Sequence, residues 1–244
     1  PSSSYRVADF VAAAKMLRAE TVIATNAAQT MAGDMAYPLV RIDPRDPEWS
    51  AGRIVEFAQR FPLDAVVAAD EEGVVMAAVA ARELGLPHNP PEAVRVTRDK
   101  AAMRQVFADA ALPQPLFRVI GADDDPVAAC SEVGFPCVVK PVSLSASRGV
   151  IRVDGIDEVA DTVARIRTIT AEAGRDPGEP ILAESFVPGT EVALEGLLVD
   201  GHLEVLALFD KPDPMNGPYF EETILVTPSR LAHHVQDEIA AISG

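Results

Sequence analysis

The sequence has very little cysteine. Its 244 residues include 2 cysteines, Cys130 and Cys137, and each lies in or beside an apolar stretch. Their spacing fits neither a zinc-binding pattern nor the cysteine framework of a small secreted domain. We therefore expect two buried thiols in a reducing compartment, which favours a cytoplasmic location.

Long apolar runs and basic residues are also scarce. No stretch approaches the ~20 apolar residues of a membrane-spanning helix, and the N-terminus lacks the basic-then-apolar layout of a signal peptide. Lysine and arginine total 21 against 37 acidic residues, for a formal net charge of -16. Because nucleic acids and anionic membranes are held by basic surface, we expect neither as a partner.

The remaining composition, 48% hydrophobic and 24% charged, is typical of a soluble globular protein. In the first part of the chain, helical and strand-like segments alternate, which predicts a parallel, doubly wound α/β sheet. The predicted strands are "TVIAT", "YPLVRID" and "DAVVAAD". A proline-rich connection, "LPHNPPEAV", predicts a domain boundary near Val94, so that the first domain covers residues 1–94.

The second part of the chain has a different pattern, which predicts an α+β fold. A helix "VTRDKAAMRQVFADAAL" carries Lys100 and Arg104, and further strands and helices follow up to residue 180. From residue 181 to residue 244 the segments "PILAESF", "EVALEGLLV", "HLEVLALF" and "ETILVTP" alternate as antiparallel strands, with a turn at Asp200 and Gly201. We expect two lobes here, residues 95–180 and 181–244.

A loop of small residues follows a lysine in "FPCVVKPVSLSASRGVIRV". Lys140 ends an apolar strand, and small side chains in the loop would let backbone N–H groups approach an anion closely. A second strand follows, whereas a P-loop would place its lysine after the loop and continue into a helix. The loop is therefore predicted to join two antiparallel strands and to cover phosphates. A serine-rich hairpin with a surface lysine is the alternative.

A second motif is "ILAESFVPGTEVALEG", residues 181–196. A strand ends in Glu184, an extended segment can read the edge of a purine, and Glu191 after a turn can accept hydrogen bonds from two ribose hydroxyls. By the two-residue period Glu191 and Glu195 share one face, and Val192, Leu194 and Leu198 share the other. A half-buried hairpin with a solvated acidic face is the alternative interpretation.

Taken in order, Lys100 in "TRDKAAMR", Lys140 in "VVKPVSLSASRG", and Glu184 with Glu191 in "AESFVPGTEV" resemble the ATP-grasp superfamily, in the subgroup of carboxylate–amine ligases and biotin carboxylase. The resemblance implies a Rossmann-like pre-ATP-grasp domain before an ATP-grasp fold. It also implies that both lysines contact phosphates, that Glu184 and the next residues bind adenine, and that Glu191 holds the ribose. The implied nucleotide contacts further include Ser143, Ser145, Ser147, Arg148, Gly149, Phe186 and Val187.

The resemblance implies an ATP-dependent ligase that activates a carboxylate as an acyl phosphate for attack by an amine or similar nucleophile. ATP, Mg²⁺ and a small carboxylate are the expected ligands, and a homodimer is compatible with it. A Pro- and Gly-rich stretch, "LFDKPDPMNGPYFEETILVTPSRL", falls where the substrate-side loop would lie. It carries Lys211, Glu221 and Glu222; a solvated loop is the alternative for each.

Two departures from the family pattern affect the expected completeness of the fold. The first helix has no strand before it, and the Glu-x-Asn-like metal motif of the family does not occur before the last residues, "DEIAAISG". We therefore expect a fragment with an incomplete C-terminal lobe, no metal ligands in this chain and no turnover. Two rivals to the ligase stay open: a bicarbonate-activating enzyme resembling carboxylases and carbamoyl-phosphate synthetases, and a nucleotide-binding module without chemistry.

Overall fold

The computed structural model describes residues 6–26 and 39–244 of the chain. It divides into two units, Pro1–Arg98 and Asp99–Gly244. The three-part division with borders at residues 94 and 180 stays a prediction. No helix in the described residues is both long enough and apolar enough to cross a bilayer.

The first unit combines a parallel strand pair with helices, which confirms its α/β class. The elements are α1 (Val7–Met16), β1 (Ile23–Thr25), β2 (Leu39–Arg41), α2 (Pro47–Ala58), α3 (Val74–Glu83) and α4 (Pro91–Thr97). Strands β1 and β2 pair in parallel, with Ile23 opposite Leu39. Buried side chains of β2, α2 and α3 form the core, and α3 is buried along residues 76–81.

One predicted strand of this unit is wrong. Residues 64–70, "DAVVAAD", form no strand in the structure. Val67 is 69% exposed, whereas a central parallel strand would be covered on both faces. The apolar run therefore reflects partial packing of Val66 against the core rather than a place in the sheet.

The second unit contains two antiparallel sheets, which confirms its α+β class. The elements are α5 (Lys100–Asp109), β3 (Phe117–Ile120), α6 (Pro126–Val133), β4 (Cys137–Pro141), β5 (Ile151–Val153), α7 (Val159–Glu172), β6 (Ile181–Ser185), β7 (Val192–Val199), β8 (His202–Asp210) and α8 (His233–Ser243). A four-stranded sheet has the strand order β3-β6-β4-β5, and a two-stranded sheet pairs β7 with β8.

Helices α6 and α7 cover one face of the four-stranded sheet. Ile120, Val139, Ile166 and Ile181 are almost completely buried between these layers, and each such side chain contributes about 1.5 to 3 kcal/mol of transfer free energy. The two cysteines are free thiols in this core, as expected. This packing leaves the opposite face of the sheet for polar residues of β4 and β6.

The long helix predicted around Lys100 is two helices. Asp99 interrupts it, because its backbone is extended and its carboxylate accepts hydrogen bonds from the N–H groups of Ala101 at 2.9 Å and Ala102 at 3.0 Å. A side chain that binds the free N–H groups of a first turn begins a helix. Lys100 is therefore the first residue of α5 rather than a residue in the middle of a longer helix.

The antiparallel tail also differs from the prediction in two places. Residues 222–228, "ETILVTP", form no strand, and their contact with β8 is an isolated bridge between Val226 and Asp210. A β-bulge between Glu195 and Gly196 shifts the register of β7. A Cβ at Gly196 would lie 2.9 Å from the carbonyl oxygen of Glu204, so the close strand approach at the bulge requires glycine.

Candidate nucleotide site

Lys140 and Glu184 lie on the same face of the four-stranded sheet. In the register of β4 and β6, Val138 is opposite Glu184, so Lys140 is two residues along the neighbouring strand. Diagonal neighbours of this kind are ~7 to 8 Å apart at the backbone, within reach of long side chains. The Lys140 ammonium lies 2.5 Å from Oε2 of Glu184. Two residues predicted from separate motifs are thus brought together by strand pairing.

A second cation completes this buried cluster. Nε of Arg104, on α5, donates to Oε1 of Glu184 at 2.6 Å. The side chain of Glu184 is 6% exposed, and those of Arg104 and Lys140 are each 16% exposed. Burial by itself would raise the pKa of Glu184, but the hydrogen bond from Arg104 and the charge of Lys140 outweigh it and lower this pKa below its usual value. Glu184 is therefore a carboxylate at neutral pH.

Lys100 ties α5 to the loop after β4. Its backbone N–H donates to the carbonyl of Val142 at 3.3 Å, and its ammonium donates to the carbonyls of Val142 and Leu144. Lys100 therefore lies at the start of the predicted phosphate loop, close to the strand end that carries Lys140. Its predicted phosphate contact stays a prediction.

The loop between β4 and β5 is partly ordered by its own contacts. The hydroxyl of Ser143 donates to the carboxylate of Glu179 at 2.7 Å, and Nε of Arg148 donates to the carbonyl of Ser145 at 3.3 Å. Ser147 has a φ of 54°, in the left-handed region. Gly149 has a φ of 74°, and a Cβ there would lie 3.1 Å from Cδ of Pro141. The loop is thus folded tightly back over the end of β4.

The segment after Glu184 leaves the sheet as extended chain. The N–H of Phe186 donates to the carbonyl of Pro136 at 3.1 Å, and Val187 is 64% exposed. The guanidinium of Arg152 lies 4.5 Å from the centre of the Phe186 ring. Arg152 also donates to the carbonyl of Asn216 at 2.8 Å. One arginine therefore connects the predicted adenine segment with the predicted substrate-side loop.

Lys211 joins the predicted ribose residue to the substrate-side loop. Its ammonium forms ion pairs with the carboxylates of Glu191 and Glu222, and its side chain is 8% exposed. Burial would lower the pKa of Lys211, but the hydrogen bonds to the two carboxylates outweigh it and raise this pKa. Lys211 is therefore a buried cation between two carboxylates whose side chains are 46% and 48% exposed.

A cavity of about 650 Å³ lies between the loop after β4 and residues 219–222. Glu221 and Glu222 line it on one side, with Arg148 and Arg165 among the other lining residues. Glu221 thus lines the same cavity as part of the predicted phosphate loop. In the described parts of the chain, no group of three or more His, Cys, Asp or Glu side chains is placed to hold a metal ion.

Sequence reasoning named Arg104 but gave it no role, and it missed Glu179 and Arg152. Arg104 follows Lys100 by four residues, and this helical spacing puts both on one face of α5. That spacing was a usable signal for Arg104. Glu179 and Arg152 meet their partners only through tertiary contacts, so no local pattern marks them.

Comparison with known protein families agrees with the order of domains predicted from the sequence. A model of the ATP-grasp domain matches residues 133–243, and a model of the ATP-grasp N-terminal domain matches residues 11–88. The two matches together cover more than half of the chain and follow the order expected from the sequence. The chain belongs to the ATP-grasp superfamily.

Several similar proteins are ligases by name. An alanine–anticapsin ligase of Bacillus subtilis (strain 168) is 29% identical over 209 residues, which cover 77% of this chain and 42% of that protein. The crystal structure of an L-amino acid ligase from Bacillus licheniformis matches with a TM-score of 0.76 and 26% identity, over 94% of this chain and 54% of that one.

A carbamoyl phosphate synthase large chain of Streptomyces avermitilis is 28% identical over 138 residues, which cover 56% of this chain and 11% of that protein. The chain thus spans about half or less of the length of these relatives, between 11% and 54%.

Proposed function

We propose that the protein containing this chain is an ATP-dependent carboxylate–amine ligase. A substrate carboxylate oxygen attacks the γ-phosphorus of ATP, ADP leaves, and the resulting acyl phosphate is attacked by an amine nitrogen with loss of phosphate. The observation that carries this proposal is the buried Lys140–Glu184 pair beside the tightly folded loop after β4. It places a cation, which can bind phosphate, on the strand next to an acceptor-only carboxylate, which can accept from the amino group of adenine.

The proposed roles of the residues follow the chemistry of their groups. Lys100 and Lys140 bind the α- and β-phosphates, and the loop containing Ser143, Ser145, Ser147, Arg148 and Gly149 covers the triphosphate. Glu184, Phe186 and Val187 bind the adenine, and Glu191 accepts hydrogen bonds from the ribose hydroxyls. Positioning and electrostatic stabilisation account for most of the rate enhancement in reactions of this type.

The substrate-side assignment rests on Glu221 and Glu222, which line the cavity beside the loop after β4, and on the ion pair between Lys211 and Glu222. Lys211, Glu221 and Glu222 are proposed to bind the carboxylate donor or its nucleophile. The similar proteins named for alanine and L-amino acids favour amino-acid substrates over bicarbonate, because they match 77% and 94% of this chain. The carbamoyl phosphate synthase matches 56%. Because of this match, bicarbonate activation is the second candidate function.

Mg²⁺ is proposed as a cofactor because it neutralises phosphate oxygens in ATP-dependent transfer. The described residues do not provide a complete set of magnesium ligands, since no group of three or more candidate side chains occurs among them. No step is therefore derived through the metal. A cytoplasmic location and a homodimer are further parts of this proposal.

Coupled measurement of ADP release tests the proposal directly. The protein that contains this chain, rather than the 244-residue chain alone, is supplied with MgATP and a panel of amino-acid pairs. The expected result is ADP formation that requires both a carboxylate and an amine. ADP formation that requires only bicarbonate would favour the second candidate. ATP binding without ADP formation under any of these conditions would favour the nucleotide-binding module and contradict a ligase.

A further inference from the structure

The Glu184 carboxylate forms ion pairs with two cations, one more than a simple ion pair contains. Lys140 binds Oε2 at 2.5 Å and Arg104 binds Oε1 at 2.6 Å, so each carboxylate oxygen has its own charged donor. The backbone neighbours of Glu184 on β3 and β4 are apolar, Phe117 and Val138. Within the described chain, Arg104 and Lys140 are the charged groups that compensate this carboxylate.

The proposed binding of phosphate by Lys140 creates an electrostatic difficulty. If the Lys140 ammonium turns from Glu184 to a phosphate, a carboxylate that is 6% exposed loses one of its donors. Removing one partner of a buried ion pair is strongly unfavourable when the other charge is left uncompensated. A lysine paired only with Glu184 would therefore be held away from the nucleotide.

We propose that Arg104 is a positioning residue that keeps the Glu184 carboxylate compensated, so that Lys140 is free to transfer to the phosphates of the nucleotide. This inference rests on the proposed function, because it assumes that Lys140 binds phosphate. Arg104 acts through Glu184 and Lys140 and does not itself contact the substrate.

The position of Arg104 suits this role. The side-chain amide of Gln114 donates to the backbone carbonyl of Arg104 at 3.0 Å, which anchors this turn of α5. A guanidinium does not lose its proton in proteins, so its charge is available at every working pH. Lys100, on the same face of α5, binds the start of the phosphate loop. One helix therefore supports both the carboxylate and the loop beside it.

The test measures binding of ATP and of inorganic triphosphate by calorimetry, because triphosphate reports phosphate contacts without adenine. Five forms of the chain are compared: wild type, Arg104→Met, Arg104→Lys, Glu184→Gln, and the double variant Arg104→Met with Glu184→Gln. Arg118→Met is the matched control, since Arg118 on β3 forms an exposed ion pair with Glu132 on α6. Circular dichroism verifies that each variant is folded.

We expect Arg104→Met to weaken triphosphate binding by roughly tenfold, because Lys140 becomes the sole partner of Glu184. Arg104→Lys should recover most of this loss. The double variant should bind triphosphate within about threefold of Glu184→Gln, because neutralising the carboxylate releases Lys140. A purely structural role for Arg104 predicts no such rescue. Triphosphate binding by the double variant as weak as that of Arg104→Met, or unchanged binding by Arg104→Met, would overturn the inference.

Failure of the proposed function can be distinguished from failure of the role proposed for Arg104. A wild-type chain that binds neither ATP nor triphosphate would overturn both the nucleotide site and the transfer of Lys140. Carbon-13 NMR titration of the Glu184 carboxyl in the free protein then judges the role of Arg104 by itself. A higher Glu184 pKa in Arg104→Met than in wild type supports compensation by Arg104, and an unchanged pKa contradicts it.

Discussion

Substitution of Lys140 by alanine is the most direct perturbation of the proposed site. The Lys140 side chain is 16% exposed and its ammonium lies 2.5 Å from a carboxylate that is 6% exposed. The substitution removes a cation near the end of β4, beside the proposed phosphate loop. It leaves Arg104 bound to the other oxygen of Glu184. It should therefore affect nucleotide binding more than the fold.

The expected losses of ATP affinity and of unfolding free energy can both be derived from these contacts. A charge-assisted hydrogen bond to phosphate contributes about 1.5 to 3 kcal/mol, so ATP affinity should fall roughly 10- to 150-fold. Breaking a buried ion pair costs about 3 to 5 kcal/mol when the remaining charge has no partner. Because Arg104 still compensates Glu184, the free energy of unfolding should fall by less than that range.

Calorimetric titration with ATP and urea unfolding of the same preparation measure these two quantities. Lys15→Ala, on the exposed helix α1, is the matched control and should leave the ATP affinity unchanged. Unchanged ATP affinity in a folded Lys140→Ala variant would remove Lys140 from the site. A loss of unfolding free energy as large as that for an uncompensated charge would refute the argument that Arg104 substitutes for it.

Three further outcomes are expected. Glu191→Gln should weaken ATP binding while leaving inorganic triphosphate binding nearly unchanged, and equal losses in calorimetry would place Glu191 away from the ribose. The pKa of Lys211 is raised, so its ion pairs contribute fully below the unfolded-state pKa of ~10.4 and are lost as pH rises through the folded pKa. The difference in urea stability between wild type and Lys211→Met should therefore shrink above that pH, and a constant difference would contradict this. Gly149→Ala should lower the unfolding free energy by about 1 to 2 kcal/mol, because its φ is 74° and Pro141 leaves little room for a Cβ; an unaltered urea midpoint would contradict it.

The order of elements and the principal motifs were accessible from the sequence alone. Helix and strand periodicities are local, so the alternation before residue 98 and the antiparallel pattern of β7 and β8 could be predicted from neighbouring residues. The Lys140 loop and the Glu184 segment stood out for the same reason. Each is an apolar strand with a charged residue next to its last position, followed by small residues or by a Pro-Gly turn.

Tertiary structure decided which of these charged residues meet. Glu184 is 44 residues from Lys140 and 80 from Arg104, and their contact depends on the pairing of β4 with β6 and on the packing of α5. It also decided that residues 64–70 and 222–228 form no strands, although both are apolar enough to suggest them. A strand exists only when a neighbour supplies its hydrogen bonds, and the buried carboxylate of Glu184 stays ionised because Arg104 and Lys140 from other elements compensate it. Both conditions are set by groups distant in the chain.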